Sequence, residues 1–142
     1  MAFQIQAKVV YNNRVSAEYF HCAFQASKII RAAHPGQFVN IRVSNDLIPL
    51  LRRPFSIHRV SGSKVEILYE VLGQGTQILS QRKAGEYLDV IGPLGHGFDY
   101  GLGVTDCRLP ILVAGGMGVA PLLFWQSNWS PSQGVRKSPE NL

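Results

Sequence analysis

The sequence predicts a mainly β protein: a closed antiparallel barrel or a sandwich over the first hundred residues, then the opening of an α/β unit after about residue 107. Three observations support this reading. Short stretches of alternating apolar and polar residues recur between turn signals, the period of half-buried strands. From Leu109 the alternation gives way to a continuous apolar run. A glycine cluster closes that run, as at a strand-to-helix turn.

Taken in order, Phe3 to Val10 places Phe3, Ile5, Ala7 and Val9 on one side of a strand. Tyr19 to Phe24 and Phe38 to Val43 continue in the same style, the latter after a Pro35-Gly36 turn signal. Phe55 to Val60 and Lys64 to Leu72 flank Ser61-Gly62-Ser63, a hairpin connection. One helix is expected in this half, beginning near Thr76 and ending before Gly85. It carries Ile78 and Leu79 on its apolar side and Arg82-Lys83 in the last turn, where the helix dipole favours cations. Leu109 to Ala114 then has the character of a buried parallel strand. The turn Gly115-Gly116-Met117-Gly118-Val119-Ala120-Pro121 leads from it into an apolar stretch, Leu122 to Trp125. Gln126 to Leu142 is rich in Ser, Pro, Asn and Gly without an apolar period, and is expected to be disordered.

Composition narrows the function classes. Of 142 residues, 46% are hydrophobic and 16% charged, enough apolar content for a real core. The formal net charge of +5 suits an anionic partner. The arginines are scattered rather than gathered in a basic run, so nucleic acid is not the expected partner. No apolar run approaches the roughly 18 residues of a membrane span, and the N-terminus lacks the regions of a signal peptide. A cytoplasmic protein with no membrane partner is expected. Cys22 and Cys107 cannot supply a four-thiolate zinc or iron–sulfur site, and two buried thiols are expected rather than a disulfide. His21 and Cys22 face opposite sides of a strand. His58 and His96 have no metal-ligand spacing around them and are read as polar surface or rim residues.

Three segments bear chemistry. In Arg52-Arg53-Pro54-Phe55-Ser56, an arginine fork matches phosphate oxygens, and a small hydroxyl beside an aromatic ring suits the polar edge of a flat ring system. Taken alone, the segment is also a basic strand entrance with a solvated arginine pair. Gly73-Gln74-Gly75-Thr76 precedes the helix, where free backbone N–H groups favour an anion. A threonine N-cap after a glycine turn is its plainer reading. The glycine cluster at 115–118, between strand and helix, is arranged to take a pyrophosphate, or is a tight turn without ligand.

Together these segments resemble a known family. Arg53-Pro54-Phe55-Ser56 is similar to the flavin motif Arg-x-(Tyr/Phe)-Ser of the ferredoxin–NADP reductase superfamily. Gly115-Gly116-Met117-Gly118-Val119-Ala120-Pro121 is similar to its nicotinamide motif, Gly-Gly-x-Gly-x-x-Pro. The finer resemblance is to the electron-transfer subunits of NAD-dependent dihydroorotate dehydrogenases. It rests on Pro35-Gly36-Gln37-Phe38, Pro49 to Ile57, Gly75-Thr76, and Asp89-Val90-Ile91-Gly92-Pro93-Leu94-Gly95-His96-Gly97-Phe98 in order and spacing.

The resemblance implies a six-stranded flavin-binding barrel over residues 1–100 and a nucleotide-binding α/β domain beginning with the strand and glycine turn of residues 107–125. Arg53 would pair with the FAD diphosphate, and Pro54, Phe55 and Ser56 would line the isoalloxazine. Leu68, Tyr69 and Glu70 would run along the flavin and ribityl chain, and Gly75 and Thr76 would hold the diphosphate. Gly115, Gly116, Gly118 and Pro121 would form the NAD turn. No side chain is expected to act as acid or base. The implied partner is a dihydroorotate dehydrogenase catalytic subunit, in pyrimidine biosynthesis. The family's further strands and its cysteine cluster, which carries a 2Fe–2S centre, have no counterpart in this chain, so a C-terminally truncated product is expected. Two other readings stay open: a related ferredoxin–NAD(P) reductase or sulfide dehydrogenase subunit, and a non-catalytic barrel remnant.

Overall fold

The computed structural model describes residues 1–44, 49–98 and 111–128. Seven strands form one curled antiparallel sheet: β1 (Phe3–Arg14), β2 (Tyr19–Gln25), β3 (Phe38–Arg42), β4 (Arg53–Ser56), β5 (Arg59–Ser61), β6 (Lys64–Glu70) and β7 (Tyr87–Leu94). Their spatial order is β4-β3-β7-β1-β2-β6-β5. The first strand is the corner of the curl. Its residues Phe3 to Lys8 pair with β7, and from Val9 onward it pairs with β2. The register shifts between Val9 and Tyr11, where the partner changes, and a bulge adds the local twist that such a bend requires.

The strand expected over Phe55 to Val60 is two strands, and the break links the two ends of the curled sheet. The Ile57 amide donates to the Gln37 carbonyl at 3.0 Å, beside β3, whereas the next amide, His58, donates to the Glu66 carbonyl at 2.9 Å on β6. One peptide thus carries the chain from one end of the sheet to the other. The hairpin that follows turns through Gly62 and Ser63, with Gly62 at φ +59°, the left-handed conformation a two-residue connection needs. The seventh strand, Tyr87–Leu94, is absent from the periodicity reading. Its exposed Tyr87 and its Gly92-Pro93 pair dilute the apolar pattern.

Inside the curl, Ala7, Val9, Phe24, Val39, Ile41, Ile57, Val65, Ile67, Leu88 and Val90 are almost wholly buried. The alternation of β1 is therefore realised with Ala7 and Val9 inside, and Ile5 packs partly buried against the core. Cys22 is buried as a free thiol, and burial pushes its pKa up to about 12; Cys107 lies outside the described residues. A short helix not expected from the sequence, α1 (Ser27–Ile30), plugs one end with Ile29. The expected helix is α2 (Gln74–Ser80), starting earlier and ending sooner. Arg82 and Lys83 therefore lie beyond its last turn, and Arg82 donates instead to the Val43 carbonyl at 2.7 Å.

The last described segment departs from expectation. Residues 111–115 form no strand, and Ile111 and Val113 are 88% and 86% exposed. An apolar run becomes a buried parallel strand only when neighbouring strands cover it, and among the described residues none does. A 3-10 turn (Gly116–Val119) then leads into α3 (Ala120–Asn128). Gln126 to Asn128, expected in the disordered tail, belong to this helix; residues 129–142 lie outside the described residues.

Candidate functional site

Strands β4 and β6 stand near opposite ends of the sheet order, yet the curl brings them face to face. Between them lies a cavity of about 260 Å³ lined by Pro54, Phe55, Ser56, Leu68, Tyr69, Glu70, Leu72, Thr76, Met117 and Ala120. Its floor is aromatic. The Phe55 and Tyr69 rings meet edge to face with centroids 5.5 Å apart, and Phe20 stacks on Tyr69 at 5.7 Å. The Tyr69 hydroxyl donates to Asn12 Oδ1 at 3.0 Å, and burial raises its pKa, so it stays a neutral phenol. Asn12 in turn donates to the carbonyls of Leu79 and Arg82 at 2.8 and 3.1 Å, tying the floor to the end of α2.

The adjacent arginines have different fates. Arg52 is structural: its Nη1 and Nη2 donate to the Asp89 carbonyl and carboxylate at 2.9 and 2.7 Å. Burial works against ionisation of Asp89, but hydrogen bonds from Arg52 and Gln4 outweigh it and hold the carboxyl below its ordinary value. Arg53 instead lies across the start of α2. A Cβ built on Gly75 would meet Arg53 Nε at 2.7 Å and Cζ at 3.3 Å, so a residue without a side chain is what lets the guanidinium sit there. Its Nη1 also donates to the Leu51 carbonyl at 2.8 Å. Thr76 occupies the third helical position, not the N-cap. Its hydroxyl accepts from the Leu72 and Gly73 amides and donates to the Gly73 carbonyl, which holds the glycine turn in shape.

Of the sequence-derived candidates, Pro54, Phe55, Ser56, Leu68, Tyr69, Glu70 and Thr76 line one cavity, and Arg53 with Gly75 forms a contact beside it. Gly115, Gly116, Gly118 and Pro121 do not line it; only Gly116, at φ +53°, has a backbone that calls for glycine, and Pro121 stands in the first turn of α3. The sequence reading missed Leu72, Met117 and Ala120 as lining residues. Met117 and Ala120 fall inside the glycine motif, but nothing in a linear pattern signals that the segment folds back onto the barrel. The other resembling motifs also meet each other: Phe98 N donates to the Pro35 carbonyl at 2.7 Å, and Gln37 Nε2 to the Gly95 carbonyl at 2.8 Å.

A polar cluster further along β6 was not foreseen. Glu66, with a side chain only 1% exposed, accepts from Arg59 Nε and Nη2 at 2.9 and 3.1 Å, and its carboxylate lies 3.0 Å from His21 Nε2. Tyr11 and His58 pack edge to face against the His21 ring. Burial opposes the Glu66 charge, but Arg59 and then His21 outweigh it, so its pKa sits below the usual 4.5. Burial, aided by His58 and against the pull of Glu66, lowers His21 below 6.5. In both cases the unfolded chain binds the proton more readily, so stability is greatest above these ordinary values and falls as pH drops through the folded ones. The melting temperature is therefore expected to fall between roughly pH 7 and 5, and more steeply below the carboxylate range. His21→Gln should flatten the upper part of that slope; a melting series with an unchanged slope would assign the acid sensitivity elsewhere.

Comparisons with known proteins bear on the fold and on the chain's relatives. No family model matches the chain. Among solved structures it superposes on a ferredoxin–NADP+ reductase from Plasmodium falciparum with a TM-score of 0.69 at 14% identity, covering 86% of this chain and 49% of that one. A ferredoxin NADP+ reductase from Neisseria gonorrhoeae, solved with bound FAD and NADP, superposes with a TM-score of 0.64 at 15% identity, covering 88% and 51%. The fold is that of ferredoxin–NADP reductases. In sequence, the chain is 43% identical over 126 residues to the electron transfer subunit of dihydroorotate dehydrogenase B (NAD+) from Desulforamulus reducens, covering 87% of this chain and 47% of that protein. The corresponding subunit of Bacillus cereus is 42% identical over 136 residues, covering 94% and 52%. This chain is a homologue of those subunits and spans about half the length of the curated relatives it matches.

Proposed function

We propose that this chain holds FAD as the flavin-binding part of an electron-transfer subunit of an NAD-dependent dihydroorotate dehydrogenase, passing electrons between a catalytic partner subunit and NAD. The observation that carries the reading is the convergence of three sequence segments on one cavity, with Arg53 laid over Gly75 at its edge. The cavity is near the lower bound of small-molecule pockets, roughly 300 Å³, so it takes a ring rather than a whole dinucleotide. Its aromatic floor suits a flat conjugated ring, and the guanidinium beside it suits an anionic diphosphate.

On this reading Pro54, Phe55 and Ser56 bind one side of the isoalloxazine, and Leu68, Tyr69 and Glu70 lie along the ring and ribityl chain. Arg53 holds the diphosphate with the turn at Gly75 and Thr76. FAD supplies the redox chemistry, while the chain orients the ring and excludes water from its inner face. Residues 1–100 form the flavin-binding unit, and residues 107–125, with Gly115, Gly116, Gly118 and Pro121, open the NAD-binding part that the longer relatives extend. The partner is the dihydroorotate dehydrogenase catalytic subunit. No 2Fe–2S cluster is assigned to these residues, since Cys22 is a buried thiol with a raised pKa and one further cysteine cannot complete four thiolates.

No described helix is long and apolar enough to cross a membrane. The test is the visible absorption spectrum of the purified chain after FAD addition and gel filtration. Retained flavin absorbance that NADH bleaches supports the proposal. A colourless protein would leave a barrel remnant without turnover as the reading to adopt.

A further inference from the structure

Met117 and Ala120 form a wall of the cavity, yet their segment pairs with no strand among the described residues. Contacts at Phe124 and His58 help hold it against the barrel. Phe124, one turn further along α3, is 5% exposed and joins the barrel core. His58, at the peptide that carries the chain from β4 to β5, places Nδ1 2.7 Å from the Ala120 carbonyl oxygen, and Ala120 is itself 2% exposed. A carbonyl only accepts, so Nδ1 carries the hydrogen whether the ring is neutral or charged. The His21 ring, edge-on at 5.5 Å and paired with Glu66, backs His58 from the β2 side.

We propose that His58 is a positioning residue for the ring site: its Nδ1–H holds the Met117–Ala120 wall against the cavity, and so sets how tightly a bound flavin ring is enclosed. The inference rests on the flavin reading above for the identity of the ring, and on geometry alone for the tether. It has a distinctive chemical requirement. Asparagine at position 58 presents an amide N–H near the place of Nδ1, whereas glutamine presents its donor one carbon further out. Asparagine should therefore restore what alanine removes, and glutamine should not.

The experiment measures amide hydrogen exchange and FAD affinity, by flavin fluorescence, in the full chain and in His58→Ala, His58→Asn and His58→Gln. His58→Ala is expected to speed exchange across residues 116–128 about tenfold and to raise the FAD dissociation constant by about five- to tenfold, as loss of one hydrogen bond would. Exchange in β1 and β6 should be unchanged, and His58→Asn should recover both values. Unchanged exchange in 116–128 would overturn the tether. Faster exchange with unaltered FAD affinity would overturn the positioning role. If His58→Ala loosens the whole barrel, the Asn and Gln variants decide, and identical behaviour of the two overturns the proposal. A wild-type chain that retains no FAD refutes the flavin reading and the ring half of this inference, while its exchange pattern still decides the tether.

Discussion

Replacing Arg53 with alanine is expected to raise the dissociation constant for FAD by about 10- to 100-fold, the effect of losing a charge-assisted contact to a phosphate. The fold should survive the change. Arg53 is partly exposed, and among the described residues its side chain donates to the neighbouring Leu51 carbonyl. Melting should therefore move little while flavin is lost. Arg52→Ala is the internal contrast. That side chain is committed to Asp89 of β7 through two hydrogen bonds, so its removal should cost stability before it costs affinity. Equal FAD affinities in wild type and Arg53→Ala, measured by fluorescence titration, would move the diphosphate away from α2.

Glu66→Ala should be the most destabilising single change on the outer face of β6. The carboxylate is buried and satisfies Arg59 and His21 together. Removing it leaves a void and an arginine without its counter-ion, which in buried pairs costs about 3–5 kcal/mol. Arg59 is 45% exposed and can turn to water, so the expected loss is smaller, about 2–3 kcal/mol. At about 4 °C per kcal/mol for a chain of this size, the melting temperature should drop by roughly 8–12 °C. Glu66→Gln keeps the volume and part of the hydrogen bonding, and should lose less. A drop of only a degree or two in calorimetry for Glu66→Ala would show that Arg59 and His21 are as well served by water.

How far the sequence could be read differs from element to element. The alternation of Phe3, Ile5, Ala7 and Val9 located β1, because a strand with one buried face must repeat with period two. The Gly62 hairpin was legible because a two-residue connection demands a left-handed residue. The division of Phe55 to Val60 was not, since the amides of Ile57 and His58 choose partners on different strands, and no local pattern records which strands those are. Leu109 to Ala114 misled for the opposite reason. Its apolar character is compatible with a buried strand, but burial depends on neighbours supplied by other parts of a chain.

The candidate site shows the same division. Residue types with intrinsic chemistry stood out by themselves: an arginine before an aromatic and a serine, glycines at a helix start, a glycine-rich turn. Strand period and turn signals indicated a mainly β fold, and the resemblance of those motifs to a known family pointed to the fold family and to the ligand proposed above, because period, turn geometry and motif chemistry are properties of neighbouring residues. The tertiary structure decided which arginine is available, since only the curl of the sheet puts Asp89 beside Arg52 and Gly75 beneath Arg53. It also decided that Met117 and Ala120 wall the cavity, and that Glu66, a charged residue on a strand, is buried rather than solvated. Those outcomes depend on contacts between residues distant in sequence, and such contacts exist only once the sheet has curled.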